Sequence, residues 1–593
     1  MTAMRRVAGW LFGLALLILT PALAQAPRTR GTPNPALTLR VGLWTLWHDK
    51  EVTISSIPDG GASIRTCIRP SEVCRATALT HPTRIRASGD RLDLGKIGAG
   101  EALVIGPVAL AAHGESLILR NPLHITARSG VLVFSLTLPI ESYVERVVAS
   151  ESGSADSLES MKALAIVVRS FALHQTHGHA DYDLCDSTHC QFLHWASNAG
   201  RQARSHAATL ATSGQTLWFH GRRAEAWFHQ NCGGRTASPA EVWGGKEAVH
   251  KQLPWLVSHI DSYCTANGAR EWSASLSRSE LTTALAAQGL ARPGWKNLTV
   301  LRRGESGRTV MLLLDTVEIS AEDFRLAVGR AMGWNRIPST WFEVAHQGDQ
   351  FVFHGRGSGH GVGLCQAGAT VMAAGGRGYD EILAQYFPGA TAADEATGEP
   401  WRTLHGQGFT LESLDPTDAA FLPELSQALA EAERRSALRP AHSITVRAFR
   451  STQAFRGATL APGWVAAFTE GDWIGTQPLR TLAARKMLVP VLRHEFLHVL
   501  VEDEAAPSVP LWLREGLAEW WAGDTAKPAS PRPTLKMDEI DRALVYSTSE
   551  AQSEAAHRAA GWYAARLVER FGKAQVTGSL RSGVPSAALA ALR

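Results

Sequence analysis

The chain has few cysteines, no dense run of one charge, no internal repeat, and no long apolar segment beyond its start. Seven cysteines in 593 residues are too few for a disulfide-built scaffold. No Lys/Arg cluster stands out, and a formal charge of +4 with a pI near 8.7 is only mildly basic. That argues against a nucleic-acid surface and is compatible with an anionic polymer as partner. The lack of a fixed period excludes a solenoid. After the first residues, no stretch is apolar and long enough to cross a bilayer. The exception is the start itself. Arg5 and Arg6 precede an apolar run, Val7–Thr20, and the small-residue pattern Ala22-Leu23-Ala24. This reads as a signal peptide over residues 1–26, with an uncleaved membrane anchor as the alternative. The mature protein is then expected outside the inner membrane, in the periplasm or at the cell wall.

The length implies two to four domains. Residues 40 to 138 are strand-like, with Gly and Pro turns. Helices follow at ESYVERVVASES and SADSLESMKALAIVVRSFALHQ, where Asp156 and Glu159 read as a capping box. Glu151 falls where the first of these runs into Ser152-Gly153, a joint at which a carboxylate could face a groove rather than the core. Lys162 and Arg169, seven residues apart, share a helix face that would either line the same groove or simply be solvated. A boundary is expected near residue 400, as a linker over 391–410, with a helix-dominated part at 411–593. The expected class is therefore α+β multidomain, a β-rich plus helical module followed by a mostly helical α+β domain. Among the cysteines, Cys67 with Cys74 closes a short loop and Cys232 with Cys264 is a second candidate pair. The odd total leaves at least one cysteine unpaired or on a metal.

VLRHEFLHVL is the sharpest local pattern. His494 and His498 are four apart, which puts both imidazoles on one helix face. Glu495 reaches a metal-bound water as general base. Seventeen residues beyond His498, within PLWLREGLAEWWAG, stands Glu515 as third ligand. Glu519, one turn on, is expected to hold a ligating histidine from outside. The segment resembles the gluzincin metallopeptidases over about residues 440 to 585. The resemblance implies a zincin-like fold, one Zn2+, and hydrolysis of a peptide or protein substrate.

GRGSGHGVGLCQAGA, residues 355 to 369, places five glycines between Gly355 and Gly363, around Arg356 and His360. Glycine costs conformational entropy, and the usual return is positive φ or a close approach of the backbone to something. Taken with PIESYVERVVASES…ESMKALAIVVRSFAL, CDSTHCQ, HQNCGGRT and YDEILAQYFPG, this stretch resembles the stage II sporulation protein D and amidase-enhancer family over residues 38–390. The resemblance implies action on peptidoglycan glycan strands. It implies lytic transglycosylase chemistry with Glu151 as general acid and base or, in other members, stimulation of a cell-wall amidase. Some members hold zinc through a histidine and two cysteines, a pattern that His179, Cys185 and Cys190 match. A Cys185–Cys190 disulfide is the alternative, and His189 is a rival ligand. On this reading the glycines bring the backbone beneath a sugar ring, His360 and Gln366 bind its polar groups, and Arg356 pairs with Glu151 or a muramyl carboxylate; the alternative is a tight buried turn whose glycines only avoid clashes. Two family aromatics are missing, at Ser358 and Ala367, with Trp195 and Trp243 as candidates to replace them. A catalytic glycan module and a non-catalytic glycan-binding or amidase-activating one therefore both stand, each fused to a zinc peptidase.

Overall fold

The computed structural model describes residues 37–583, apart from 58–60, 68–73, 96–97, 113–114, 175–177, 196–198, 245–252, 267, 269, 292–293, 524–531 and 548. The expected signal peptide lies outside the described residues.

Alternation of apolar residues builds the first part. In Val131–Pro139, Leu132, Phe134, Leu136 and Leu138 point inward. That strand pairs antiparallel with both Thr38–Leu43 and Leu123–Arg128. Twelve strands between Thr38 and Pro139 form two six-stranded sheets. Pro139 ends the last strand, and the Ile140–Glu151 helix starts immediately after it. The Leu158–His174 helix is buried on almost every side, so its polar residues need partners inside the protein. Asp156 is not its cap. It accepts the Gly153 N–H at 2.7 Å and the Thr370 hydroxyl, which ties the Glu151 joint to the Gln366–Ala374 helix.

Residues 271–356 form an insertion with its own core, where Phe324, Phe342, Phe351 and Phe353 pack together. The Glu271–Ser277 strand leads in and Gln350–Arg356 leads out, paired antiparallel from Glu271 against Arg356. The glycine-rich stretch therefore begins where the insertion closes.

The largely helical C-terminal part carries one five-stranded sheet, in the order Arg402–His405, Phe409–Ser413, Ile444–Ala448, Trp473–Thr476, Ala467–Glu470. The Ala467–Glu470 edge runs antiparallel to its neighbour. Helices Leu422–Ser436, Leu488–Glu504, Leu511–Ala522 and Glu550–Phe571 supply most of the remaining core. The whole is a mixed α+β architecture. The expected linker at 391–410 is not a free connection. Thr391–Asp394 pairs with Gln215–Trp218, and Arg402–His405 is a strand of the C-terminal sheet. Apolar residues cross the seam, with Leu210 packed among Phe449, Phe455 and Trp473. Arg447 is fully buried there, pairs with Glu412, and donates to the Ser213 carbonyl at 3.3 Å. Residues 36–593 form one compact unit.

Candidate functional sites

Glu151 closes the Ile140–Glu151 helix and is half-buried. The Gln366 amide donates to its backbone carbonyl at 3.2 Å. Burial pushes its carboxyl up to about 7, against an opposing hydrogen bond from the Phe192 N–H. A carboxyl poised there can donate a proton near neutral pH. The sign of its effect on stability follows. The ordinary value is 4.5, so between about 4.5 and 7 the folded state holds a proton that the unfolded chain has lost. Stability therefore falls as pH rises through that window and levels off above it. Glu151→Gln is expected to remove this slope, giving a variant more stable than wild type at about pH 8 and equal to it near pH 4. Urea midpoints across pH test this, and parallel profiles would refute it.

The residues expected around Glu151 are placed differently. Arg169 lines no groove. It is fully buried, bonded to both Glu141 oxygens at 2.5 and 3.0 Å, and donates to the Gln215 carbonyl at 3.0 Å. Lys162 is tied to Glu159 at 2.8 Å and lies over the Tyr379 ring, while Glu159 also accepts the Tyr379 N–H. Glu159 thus links two helices and is no part of a capping box. Arg356 stacks on Trp341, 3.6 Å from the ring centre, and lines an open cleft with Gly233, Arg235 and Glu305.

The glycines of 355–363 answer to the protein itself. Gly357, Gly359, Gly361 and Gly363 all have positive φ, between 74 and 92°. A Cβ at Gly357 would stand 2.8 Å from the Asn231 carbonyl, and one at Gly359 2.9 Å from the His229 Cβ. At Gly361 and Gly363 it would strike Arg308 and the Trp227 carbonyl. The stretch is packed against residues 227–233 and Arg308, and does not open beneath a ligand. His360 is half-buried in this packing, with Nδ1 accepting the Val362 N–H at 3.0 Å. Burial, then the charges of Arg325 and Arg308, lower it to about 3, so it is neutral. Ser358 exchanges both backbone hydrogen bonds with Asn231, and Ala367 donates its N–H to Gln230. Trp243 stands 5.2 Å from His360 and 5.3 Å from Trp227, beside the stretch. Trp195 instead donates to Asp186 at 2.9 Å.

The cysteines fall into three groups. Cys67 and Cys74 are joined across paired strands, and Cys185 with Cys190 also closes as a disulfide. His179 Nε2 is 3.2 Å from the Cys190 sulfur, and His189 Nδ1 is 3.7 and 3.8 Å from the two sulfurs. Reduced, these four donors form a set of the kind that holds zinc. Cys232 and Cys264 are not bonded to each other. Both are free thiols, buried together with Cys365 and Asp261.

In the C-terminal part the spaced motif converges. His494 and His498 Nε2 are 2.9 Å apart, and Glu515 oxygens stand 3.6 and 3.5 Å from them. Two ring nitrogens turned on one point with a carboxylate beside them fit a divalent cation. Glu495 is buried, raised by that burial, and accepts the Thr469 hydroxyl at 2.6 Å from the Ala467–Glu470 edge strand. Glu519 does not hold a ligating histidine. It lies 3.5 Å from His557, which also meets Glu515 at 2.7 Å. Burial opposes charge on His557, but the hydrogen bonds it donates to Glu515 and Glu519 overcome it and raise the group to about 10. His557, on the Glu550–Phe571 helix, is the residue that sequence reading missed. It stands 42 positions beyond Glu515 in no motif, with only its place on a helix as a signal.

Residues 130–219 match the stage II sporulation protein (SpoIID) family, and residues 254–363 match a domain family of unknown function. The chain is a distant, partial homologue of SpoIID and amidase-enhancer proteins. An uncharacterized protein of Brachyspira hyodysenteriae is 27% identical over 260 residues, 43% of this chain and 67% of that one. The amidase enhancer of Bacillus subtilis is 22% identical over 302 residues, 41% of this chain and 39% of the relative. Stage II sporulation protein D of the same species is 23% identical over 306 residues, 48% of this chain and 83% of the relative. The SpoIID match covers Glu151 and the Cys185–Cys190 segment. Both family matches end before the HExxH helix. No described helix is long and apolar enough to cross a membrane.

Proposed function

We propose that the chain is an exported, peptidoglycan-directed protein with two working parts. Residues 38–390 bind glycan strands and engage a cell-wall amidase, and residues 411–593 are a zinc-dependent peptidase of the gluzincin type. The convergence of His494, His498 and Glu515 beside the buried Glu495 carries the second half. Distant homology to an amidase enhancer supports the first. The inward packing of the glycine-rich stretch, which leaves no backbone cradle for a sugar there, speaks against a cleavage subsite at that stretch and leaves glycan binding to other surfaces of this part. Zinc held by the two imidazoles and Glu515 supplies a Lewis acid and an acidified water. Glu495, held in place by the Thr469 hydroxyl, would serve as the general base there, accepting the proton of the attacking water.

One observation favours a second reading, that the first part cuts glycan. Glu151 is half-buried with its carboxyl raised to about 7, as a general acid requires. A single experiment separates the two. The purified mature protein is incubated with peptide-free glycan strands and, separately, with whole sacculi plus a wall amidase, with Glu151→Gln in parallel. The amidase-activating reading expects faster amidase release with either protein and no glycan products. Products with 1,6-anhydromuramyl ends from wild type alone would replace it with the lytic reading. Neither effect would overturn both.

A further inference from the structure

We propose that Cys232, Cys264, Cys365 and Asp261 form a second, structural metal site for a thiophilic divalent cation such as zinc, buried beneath the glycine-rich stretch. Three segments distant in sequence bring these side chains together. Cys232 follows the Phe228–His229 strand, which pairs in parallel with Leu364–Cys365. Asp261 and Cys264 belong to the short Ser262–Thr265 helix and its cap. One donor atom from each of the four lies within 4.8 Å of the others, and relative exposures are 0, 0, 0 and 6% for Cys232, Asp261, Cys365 and Cys264. A tetrahedral zinc–thiolate site needs sulfur separations of about 3.8 Å, from bonds near 2.3 Å. The donors are already at that scale.

As bare thiols, Cys232 has an acceptor in Asp261 at 3.2 Å and Cys264 in the Asn231 amide oxygen at 3.3 Å, but these are weak returns. A thiol is a weak hydrogen-bond donor, and three of them around a buried carboxylate return little for its desolvation. Two backbone donors also face the sulfurs, as a thiolate would require. The Gly234 N–H points at the Cys232 sulfur at 3.4 Å, and the Cys232 N–H at the Cys365 sulfur at 3.3 Å. Asp261 is held from outside, by the Tyr386 hydroxyl at 2.9 Å and the Cys264 N–H at 3.0 Å. Space for this is kept by Gly368, where a Cβ would strike the Tyr386 oxygen and stand 2.7 Å from Asp261. A charge of the opposite sign lies alongside. Arg308 is buried, donates to the Cys232 carbonyl at 2.8 Å, and has no ion pair among the described residues. Three thiolates and a carboxylate on a divalent cation leave a net charge of about −2, and Arg308 offsets part of it.

The site also has a reason to exist where it does. Cys365 caps the Gln366–Ala374 helix, and Gln366 is the residue bonded to the Glu151 carbonyl. A cation there fixes the start of that helix against residues 231–234 and so sets the Glu151 joint.

The test begins with the wild-type full chain, unfolded without reductant and alkylated, then mapped by mass spectrometry. Cys232, Cys264 and Cys365 are expected as three free thiols. A disulfide between any two of them overturns the proposal. The chain carrying Cys185→Ser and Cys190→Ser is then loaded with Co(II), so that only this cluster offers thiolates. A thiolate-to-cobalt charge-transfer band is expected, and it disappears when Cys264→Ser is added while the His494/His498 site still binds cobalt. Three free thiols with no such band, in a preparation whose circular dichroism matches wild type, also overturn it. Should the double-serine chain not fold, wild type with Cd(II) and sulfur-edge absorption before and after Cys264→Ser gives the same decision.

Discussion

Glu495→Gln is expected to cut peptide hydrolysis by about a hundredfold or more while leaving the metal bound. On the proposed mechanism the carboxylate at this position would remove a proton during the attack, and positioned acid–base groups contribute on the order of 10²–10⁴ in rate. It is not placed as a ligand. Its contacts are the Thr469 hydroxyl and the buried surroundings that raise it. His498→Ala should behave differently and lose the metal itself, since its Nε2 faces both His494 and Glu515. His557→Ala should fall between, weakening metal affinity about 10- to 100-fold by freeing the Glu515 carboxylate it now holds. Metal content by mass spectrometry, read beside hydrolysis of crosslinked stem peptides and of a denatured protein, separates the three. Full activity in Glu495→Gln would remove the peptidase assignment.

Glu141→Ala is expected to destabilise the first part by about 3–5 kcal/mol, the cost of leaving a buried charge without its partner. Arg169 is fully buried on a helix that is apolar on nearly every face, and Glu141 is almost as enclosed. Glu141 also accepts the Gly214 N–H, so its loss loosens the turn before the Gln215–Phe219 strand. The double change Glu141→Gln with Arg169→Met should recover most of the loss, because it removes both charges and keeps the volume. Urea midpoints measured at low and high salt give the answer. A loss below about 1 kcal/mol, or one that disappears in salt, would mean that the pair is solvated after all.

Sequence periodicity carried the outline of the fold. Period-two strands before residue 139 and the helices after it are where alternation and amphipathicity place them. The HExxH pair with Glu515 was legible because one helix and the next fix all three donors by short spacings. What was not legible depends on long-range packing. Nothing local marks residues 271–356 as an insertion, because its entry and exit strands pair 85 positions apart, Glu271 with Arg356. Lys162 and Arg169 share a helix face as expected, but the face is internal. The same ignorance of neighbours misread the glycines. Positive φ and a tight turn that avoids clashes were foreseeable, but which residues the missing side chains make room for was not. The Cys232, Cys264 and Cys365 group escaped for a related reason. Pairing cysteines by sequence order assumes nearest partners, whereas here a parallel strand pair brings residue 365 beside residue 232.

The seam at Arg447 has a further consequence. Leu210, Phe449 and Trp473 pack across it, and a strand on either side leaves only residues 395–401 between them. The two halves therefore do not search independently on a tether. The span from Glu151 to the His494–His498 pair is set by packing, as the jaws of a caliper are set by its beam. Were the first half to hold a glycan strand as proposed, the second half would meet only what lies at that one span along the same polymer.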